Sequence, residues 1–306
     1  MPPPHLSILI VSWNTAALLA ECLTSVHAEV QRLAPTATET IIVDNGSIDG
    51  SVAMVRERFP WVYLIENVAN VGFAQANNQA MEQAQGEFVL LLNSDTRLLP
   101  GALQALLAFM AAHPPAGACG ARLLNADGSL QPSCHPMLTP EREFWRLTFL
   151  DRLLPRATYK MASWPVDQPH RVEAIKGACL LLRRTALDEI GPLDEAYFMY
   201  TEEVDLCYRL AQAGWELWWV PQAQVIHYGA ASSRQAAEAM YLQLYRSKVQ
   251  FYRKFGGERR ARRFKRLVRL AYWPRLAAAT LAAAATARPV PEKQIYRRLL
   301  AELPHF

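Results

Sequence analysis

A polar triplet follows a fully apolar stretch in the first third of the chain. Residues Phe88–Leu92 are all hydrophobic, and the next three are Asn93, Ser94 and Asp95. Side chains two positions apart in a strand point the same way, so oxygens of Asn93 and Asp95 can grip one divalent cation. Mg²⁺ and Mn²⁺ take oxygen ligands, and Mg²⁺ is commonly shared with substrate phosphates. The alternative is that Ser94 or Asp95 only caps a helix ahead of Pro100.

A second group of carboxylates stands farther along, directly after an aromatic cluster. Glu202, Glu203 and Asp205 follow Thr201, which can cap a helix. One interpretation is that the acids complement the dipole of that helix and that Asp205 pairs with Arg209. Three acids exceed what capping requires, however, and a carboxylate of tuned pKa can take the proton from a hydroxyl group. The turn is therefore a candidate for a catalytic base, with Glu203, Glu202 and Asp205 as the choices.

Polar residues also close the first two predicted strands. Ser12 and Asn14 end the first, and Asp44 and Asn45 end the second ahead of a Gly-Ser turn. A carboxylate at this place can accept the imide N–H of uracil or thymine, while the turn is free to hold ribose or phosphate. The alternative is that Asp44 and the nearby Asp49 are only turn and N-cap residues.

Three later positions could add to the same site. Gly72 lets the backbone approach a ligand at the start of a helix that carries Asn77, whose amide can donate and accept. Gly177 opens a strand through a small-residue turn, where lack of bulk would suit a flat sugar, although plain strand packing explains it nearly as well. His227 ends a strand and could complete a metal shell, although a single histidine is usually structural.

The elements that must position these residues alternate between strand and helix. Apolar runs at Leu6–Val11, Ile41–Val43, Val62–Ile65 and Phe88–Leu92 alternate with helical patterns, which predicts an α/β fold with a mostly parallel sheet. Ligands of such sheets gather at the carboxyl ends of the strands. Further expectations are long loops with short helices at about 126–171, a strand at Val172–Leu182, a helix at Thr201–Ala213 and short strands at Leu217–Val220 and Val225–Ile226. Other predicted helices are Ala16–Arg32, Ser51–Phe59, Phe73–Gln83 and Gly101–Ala112.

Composition excludes several classes of protein. Of the 306 residues, 51% are hydrophobic, which argues against disorder. The five scattered cysteines contain no CxxC pair, so neither a zinc site nor a disulfide framework is predicted, and a reducing cytoplasm suits them. The apolar runs at Leu6–Trp13 and Leu276–Ala287 are too short for a signal-peptide core or a membrane span, which needs ~20 apolar residues.

The net charge of +4 hides a cationic block between Arg253 and Arg269. Within it, Phe264, Leu267, Val268 and Ala271 form an apolar stripe at helical spacing. A basic amphipathic helix of this kind predicts peripheral binding to an anionic bilayer. The alternative is a solvated face packed on the rest of the protein; no nucleic acid is expected, because no binding module accompanies the charge.

Taken in order, these motifs resemble the family 2 glycosyltransferases of the GT-A fold, especially their bacterial rhamnosyltransferase-like branch. The matching segments are IVSWN, IIVDNGSIDGS, NVGFAQANN, LLLNSD, GACLLLRR, LDEAYFMYTEEVDLCYRLAQAGW and VIHYG. The resemblance implies a catalytic domain at 1–230, made of a nucleotide-sugar-binding half (about 1–125) and an acceptor half (126–230). A basic helical extension would follow at 231–306.

The resemblance also assigns roles. It implies inverting transfer from a dTDP-, UDP- or GDP-linked sugar, with rhamnose as one candidate, to a hydroxyl of a glycan or lipid-linked glycan, at the inner face of the cell membrane. The nucleotide-sugar-binding residues would be Ser12, Asn14, Asp44, Asn45, Gly72, Asn77, Ser94 and Gly177. Mg²⁺ or Mn²⁺ would be held by Asp95, Asn93 and His227, and Glu203 would occupy the place of the catalytic base.

Two residues depart from the family pattern. Asn93 stands where the metal-binding Asp-x-Asp has its first Asp, and Glu203 stands where the base is usually Asp. These departures leave open a catalytically inactive, nucleotide-binding homologue that serves as a membrane-associated partner protein. A nucleotidyltransferase is the other alternative, but it would need neither the acidic helix nor His227.

Overall fold

The computed structural model describes residues 4–153, 156–229, 236–286 and 291–306. They fall into two compact units, one within residues 1–137, 160–198 and 202–235, the other within 138–159, 199–201 and 236–306. The segment 138–159, which the sequence places in the acceptor half, thus groups with the C-terminal helices. The expected start of the extension at 231 lies outside the described residues.

One large sheet dominates the first unit. The strands are β1 (Leu6–Ser12), β2 (Thr38–Asp44), β3 (Tyr63–Glu66), β4 (Phe88–Asn93), β5 (Thr96–Leu98), β6 (Ala116–Leu124), β7 (Leu130–Gln131), β8 (Cys134–His135), β9 (His170–Arg171), β10 (Ala174–Ile175), β11 (Cys179–Arg183) and β12 (Glu216–His227). The sheet order is β3-β2-β1-β4-β11-β6-β12-β5, with β7 beside β6 and β9 beside β12, while β8 and β10 form a separate pair.

The sheet brings the predicted strand ends to one edge. β1 pairs in parallel with β2 and β4, and the register sets Ser12 opposite Asp44 and Val11 opposite Asn93. β11 runs antiparallel to β4, so its first residue, Cys179, lies opposite Leu92. Strands that are buried on both faces read as continuous apolar runs, which is why β1 and β4 were recognisable in the sequence.

Helices flank the strands of the first unit, and three more make up most of the second. The bounds are α1 (Ala16–Leu33), α2 (Ser51–Arg58), α3 (Phe73–Gln83), α4 (Ala102–Ala112), α5 (Pro140–Leu147), α6 (Arg184–Ile190), α7 (Glu202–Gln212), α8 (Ala237–Thr286) and α9 (Pro291–Glu302). α8 contains a kink at Gly257, whose φ of 67° is not helical.

Several predicted elements needed correction. The strand expected at Val172–Leu182 is two strands, β10 and β11, separated by a turn. The two short strands expected before His227 are one continuous strand, β12, with a register shift between Val220 and Gln224. β6 was not predicted, because its Ala- and Gly-rich sequence has little strand propensity. Close packing selects those small residues: a Cβ on Gly117 would lie 2.7 Å from Cβ of Trp215.

The second unit buries the stripe that the sequence assigned to a bilayer. Phe264 and Val268 are fully buried and Ala271 is nearly so. Phe264 packs against the ring of Tyr252, with 4.7 Å between centroids. The amphipathic prediction was right about periodicity but wrong about what covers the stripe, since the protein's own side chains do.

Charged groups are also buried in the second unit. Glu143 and Lys248 form an ion pair with both side chains less than a tenth exposed, and Arg146 adds a second contact to Glu143 at 2.9 Å. Burial opposes ionisation of Glu143, but the charges of Lys248 and Arg146 lower its pKa to about 2.

The described helices and the cysteines bear on the predictions about membrane spans and disulfide bonds. No helix within the described ranges has the length and hydrophobicity to cross a membrane. All five cysteines are buried free thiols. Burial raises the pKa of Cys22 to about 12, so this thiol is unreactive.

Candidate functional site

The predicted metal-binding residues come together at the end of β4. Nε2 of His227 lies 3.3 Å from Oδ1 of Asp95 and 3.4 Å from Nδ2 of Asn93. The antiparallel pairing of β5 with β12 places His227 opposite Thr96, the residue next to Asp95. Residues that are 134 positions apart therefore share one small space because of strand register.

The chemistry of this cluster fits a divalent cation. Adjacent ligands of an octahedral Mg²⁺ lie about 3 Å apart, close to the 3.3 Å between His227 and Asp95. Oδ1 of Asn93 is buried and has no hydrogen-bond partner, as expected of an oxygen that awaits a ligand. The described residues contain no group of three His, Cys, Asp or Glu side chains arranged for a metal, because the third member here is an amide.

Asp44 has one carboxylate oxygen in use and one without a partner. Oδ1 accepts a hydrogen bond from the backbone N–H of Ser47 at 2.8 Å, whereas Oδ2 is buried and unpartnered. Asn14 binds the loop that follows β2: its N–H donates to Oγ of Ser47, and its Oδ1 accepts from the N–H of Ile48, both at 2.8 Å. The loop thus holds Asp44 with a spare acceptor, which is what recognition of an imide N–H requires.

Ser12 and Ser94 face each other's strands rather than an open space. Both are buried, and their hydroxyls lie 3.1 Å from the hydroxyl of Thr15. This chain of three hydroxyls braces the ends of β1 and β4. In the folded protein these hydroxyls hold the strand ends together, and their role in binding the donor stays a prediction.

Two asparagines that were predicted to bind the donor likewise form hydrogen bonds within the protein. Nδ2 of Asn45 donates to Oδ1 of Asn70 and to the carbonyl of Gly72, and its Oδ1 accepts from Asn67. Nδ2 of Asn77 donates to the carbonyl of Phe73, one helical turn back. Asn45 builds the loop that ends in Gly72, and Asn77 stabilises α3, so the amides predicted to contact the donor are committed elsewhere.

Gly72 joins this loop to the segment before the acidic helix. Its φ is 95°, and a Cβ there would lie 2.6 Å from the carbonyl oxygen of Phe198, so only glycine fits. The N–H of Phe73 donates to that same carbonyl at 2.7 Å. Asn78 makes a second link, because its amide exchanges hydrogen bonds with the backbone of Leu193.

The three acids of α7 are in different environments. Glu202 is 4% exposed, and burial together with the charge of Glu203 raises its pKa well above the usual range. Asp205 is fully buried and accepts from Arg209 at 2.6 Å and from Tyr197 at 3.3 Å. Arg209 in turn donates to the carbonyls of residues 190–192, so Asp205 is structural and not a free base.

Glu203 is the half-buried member and lies against Gly177. A Cβ added to Gly177 would be 3.6 Å from Cβ of Glu203 and 3.9 Å from the ring of Phe73. The neighbouring Lys176 is largely buried; burial lowers the pKa of its ammonium group, and the negative charge of Glu203 opposes that shift. The lack of a side chain at Gly177 thus leaves room between Glu203 and the loop at Phe73.

Strand pairing connects the metal-binding cluster to Glu203. The N–H of Asn93 donates to the carbonyl of Ala178 at 3.0 Å, and the preceding residue, Gly177, lies where an added Cβ would be 3.6 Å from Cβ of Glu203. Sequence reasoning missed Phe198, Lys176 and Gln131, whose Oε1 lies 2.6 Å from Nδ1 of His227. Each acts through a contact with a residue distant in the chain, so no local motif marks it.

Comparison with known proteins places the chain in a family. The family described as "Glycosyl transferase family 2" matches residues 7–190, more than half of the chain. The N-acetylglucosaminyl-diphospho-decaprenol L-rhamnosyltransferase of Mycobacterium tuberculosis is 32% identical over 252 residues, which cover 74% of this chain and 77% of that protein. The low-salt glycan biosynthesis hexosyltransferase Agl10 of Haloferax volcanii is 26% identical and covers 67% of this chain and 61% of its own.

Solved structures show the same fold. The mannosyltransferase PcManGT from Pyrobaculum calidifontis, in complex with GDP-Man and Mn²⁺, has a TM-score of 0.57 at 19% identity, covering 99% of this chain and 85% of that chain. GalNAc-T7 with UDP, GalNAc and Mn²⁺ has a TM-score of 0.54 at 18% identity, covering 74% of this chain and 44% of that chain. The fold is therefore GT-A, as the sequence predicted, with a mostly parallel sheet and C-terminal helices. The chain belongs to glycosyl transferase family 2, in its bacterial rhamnosyltransferase-like branch, and is a glycosyltransferase that uses a nucleotide sugar.

Proposed function

We propose that this glycosyltransferase moves a sugar, with inversion, from a nucleotide-diphosphate donor to a hydroxyl of a glycan or lipid-linked glycan. The observation that carries the proposal is the meeting of Asp95, Asn93 and His227 at the tip of β4, one hydrogen bond from the Gly177–Ala178 turn beside Glu203. The turn before the adjacent strand β11 thus links the proposed metal-binding group on β4 to the proposed base on α7.

Asp44 is the residue proposed to bind the nucleobase of the donor. The buried, unpartnered Oδ2 of Asp44 supplies an acceptor for an imide N–H, and leaving a buried acceptor unsatisfied costs about 1–3 kcal/mol. Asn14 and Ser47 hold the loop in place. Gly72 is the N-cap residue of α3, and the N-terminus of that helix would favour the negative charge of the diphosphate.

Asp95, Asn93 and His227 are the residues that would hold Mg²⁺ or Mn²⁺. When bound, the ion neutralises negative charge on the departing diphosphate. Replacement of the first family Asp by Asn93 removes one negative charge but keeps an oxygen ligand. This favours an active enzyme over the inactive partner protein that the two departures had left open.

Glu203 is the proposed catalytic base. It takes the proton of the acceptor hydroxyl while the acceptor oxygen bonds to the anomeric carbon and the bond to the diphosphate breaks. Glu202 is the weaker choice, because burial and then the charge of Glu203 raise its pKa and so disfavour its ionised form. A single displacement from the face opposite the leaving group inverts the anomeric centre.

The substrates are proposed from the relatives. The Mycobacterium tuberculosis enzyme is named for transfer of L-rhamnose to N-acetylglucosaminyl-diphospho-decaprenol. We therefore propose a dTDP-linked deoxyhexose, rhamnose first, as donor and a polyprenyl-diphosphate-linked saccharide as acceptor. Its reaction would take place at the inner face of the cell membrane.

A donor-binding and product experiment tests this function. The full-length protein is titrated with dTDP, UDP and GDP, each with and without Mn²⁺, and then assayed with the matching sugar donors on a lipid-linked acceptor. We expect Mn²⁺-dependent binding of one nucleotide and a product whose anomeric configuration, read by NMR, is opposite to that of the donor. Retained configuration would exclude the single displacement, and tight metal-independent binding would exclude the assigned cation site.

The membrane contact is proposed for a different face of α8 than the sequence indicated. Arg259, Arg262 and Arg266 are exposed and recur at a spacing of three or four residues. The same helical face continues into Leu270, Trp273 and Leu281, which are 60–71% exposed. Cations beside exposed aromatic and aliphatic groups fit the headgroup region of an anionic bilayer, at about 1 kcal/mol per Arg near the surface.

Vesicle sedimentation tests this surface. Binding to phosphatidylglycerol vesicles should fall at least tenfold in a Trp273→Ala/Leu281→Ala variant, whereas binding to neutral phosphatidylcholine should be weak throughout. Val166→Ala is the matched control, because Val166 is a 53% exposed apolar residue of the first unit. Equal binding by the double variant and the control would contradict the assignment.

A further inference from the structure

The His227 imidazole makes its strongest contact on the side away from the metal-binding cluster. Nδ1 lies 2.6 Å from Oε1 of Gln131, which ends the short strand β7. Histidine has two neutral tautomers, and the hydrogen bond made by one ring nitrogen decides which nitrogen keeps a lone pair. The orientation of the Gln131 amide therefore determines which nitrogen faces Asp95 and Asn93.

That amide orientation is fixed by two acceptors. Nε2 of Gln131 donates to the backbone carbonyl of His227 and to Oδ1 of Asn125, both at 3.0 Å. A backbone carbonyl can only accept, so the NH₂ group of Gln131 must be on that side. Its carbonyl oxygen must then face Nδ1 of His227, which has to carry the hydrogen.

The turn before β7 supports the same orientation independently. Nδ2 of Asn125 donates to Oγ of Ser129 at 2.9 Å, and that hydroxyl donates to Asp127 at 2.6 Å. The hydrogen bonds from Ser129 lower the pKa of Asp127, so its carboxylate is an acceptor only. The direction of donation is thus set from Asp127 back through Ser129 and Asn125 to Gln131.

With the hydrogen on Nδ1, Nε2 of His227 presents a lone pair to the cluster. Nε2 and Oδ1 of Asp95, 3.3 Å apart, are then two acceptors that face each other. The nearby Oδ1 of Asn93 is a buried oxygen without a hydrogen-bond partner. Nε2 can also accept from Nδ2 of Asn93 at 3.4 Å. A lone pair that faces a carboxylate oxygen is accommodated when a cation lies between them. A ligating His usually donates its other N–H to a carboxylate, a backbone carbonyl or water; here a side-chain amide oxygen takes that place.

We propose that Gln131 is a positioning residue that holds His227 in the Nδ1–H tautomer, so that Nε2 is available to the divalent cation. This inference rests on the proposed function of Asp95, Asn93 and His227. Gln131 touches neither substrate nor metal; it acts through the imidazole ring, and the 125–129 turn acts through Gln131.

The first test reads the tautomer without any metal. Two-dimensional ¹⁵N spectra of histidine-labelled apoprotein, with the His227 signals assigned by their loss in His227→Ala, report which ring nitrogen is protonated. Wild type and Gln131→Glu, which keeps an acceptor oxygen, should show the Nδ1–H tautomer. Gln131→Met should show a mixture of tautomers, whereas Gln224→Met, a half-buried glutamine on the strand of His227, should match wild type.

The second test measures affinity for Mn²⁺ alone by electron paramagnetic resonance. Loss of the outer partner of a metal-binding histidine typically weakens metal affinity about 10–100-fold, and we expect this loss in Gln131→Met and its recovery in Gln131→Glu. An unchanged tautomer or equal Mn²⁺ affinity in Gln131→Met would overturn the role of Gln131. Failure of the wild type to bind Mn²⁺ would instead overturn the cation site in the proposed function, which the tautomer spectrum does not depend on.

Discussion

The assignment of Glu203 as the base can be tested against its neighbour, because the two acids differ in environment and not in type. Glu203→Gln keeps the size of the side chain that packs against Gly177, so the variant should fold and bind donor normally. It removes the only proposed proton acceptor. A positioned general base contributes about 10²–10⁴-fold in rate, which corresponds to roughly 3–5 kcal/mol of transition-state stabilisation.

Glu202→Gln is the matched control and has the opposite expectation. The raised pKa of Glu202 favours its neutral form, so a neutral amide should preserve turnover. Because its pKa is raised on folding, by burial and then by Glu203, its contribution to stability is complete below the pKa of the unfolded chain and is lost as pH rises. Glu202→Gln should therefore raise the free energy of unfolding at pH 7–8, with a gain that shrinks as pH falls toward 4.5.

Both variants are compared by three measurements: nucleoside diphosphate release with saturating acceptor, calorimetric affinity for donor, and urea unfolding at several pH values. The expected result is a hundredfold or larger loss of kcat in Glu203→Gln with unchanged donor affinity. Full turnover in Glu203→Gln, or loss of turnover only in Glu202→Gln, would refute the assignment.

The remaining predictions concern the metal-binding residue Asp95, the loop at Gly72 and the second unit. Asp95→Ala should lose Mn²⁺-dependent nucleotide binding about 10–100-fold by calorimetry while melting normally; undiminished binding would contradict its role. Gly72→Ala should lower the free energy of unfolding in urea by more than the ~1–3 kcal/mol of backbone strain alone, because the new Cβ would clash with Phe198. Gly101→Ala is the control: its φ is 84° and no atom lies near the new Cβ, so it should show the backbone strain only. Equal losses of stability in the two variants would contradict the clash. The low pKa of Glu143 adds stability that is complete above pH 4.5 and is lost as pH falls toward 2. Lys248→Met should lower the free energy of unfolding by about 3–5 kcal/mol at neutral pH. Unfolding followed by circular dichroism at several pH values checks both, and a wild type whose stability does not change in acid would contradict them.

The fold was predictable where side-chain pattern and strand burial agree. β4 is apolar up to its last residue, β1 is apolar except for Ser7, and both end in polar residues. Both their burial and the edge that carries the chemistry therefore followed from the sequence. β6 was missed because its alanines and glycines are selected by neighbours such as Trp215 rather than by strand propensity. The apolar stripe at Phe264 was recognised, but the side chains that cover it were not. Periodicity shows that one face of a helix is buried and does not identify the surface that buries it.

The site was predictable to the level of segments and less so to single side chains. Asp95, Asn93 and His227 meet as expected because strand register brings their elements together. The commitment of Asp205 to Arg209 and Tyr197, and of Asn45 to the loop at 67–72, depends on contacts that only the folded chain defines. Gln131 stands 96 residues from the ring it orients, too far apart for a spacing rule to connect them.

The bond between the N–H of Phe73 and the carbonyl of Phe198 has a consequence for engineering donor choice. One of its partners belongs to the loop at 67–73, which carries the proposed diphosphate-binding Gly72, and the other to the segment that leads into the acidic helix. A chimera that imports a foreign 67–73 loop alone would have to fit a backbone shaped for a different neighbour. Transplants that carry residues 67–73 and 193–198 as a matched pair should preserve this junction, so the exchangeable module of this enzyme is discontinuous in sequence.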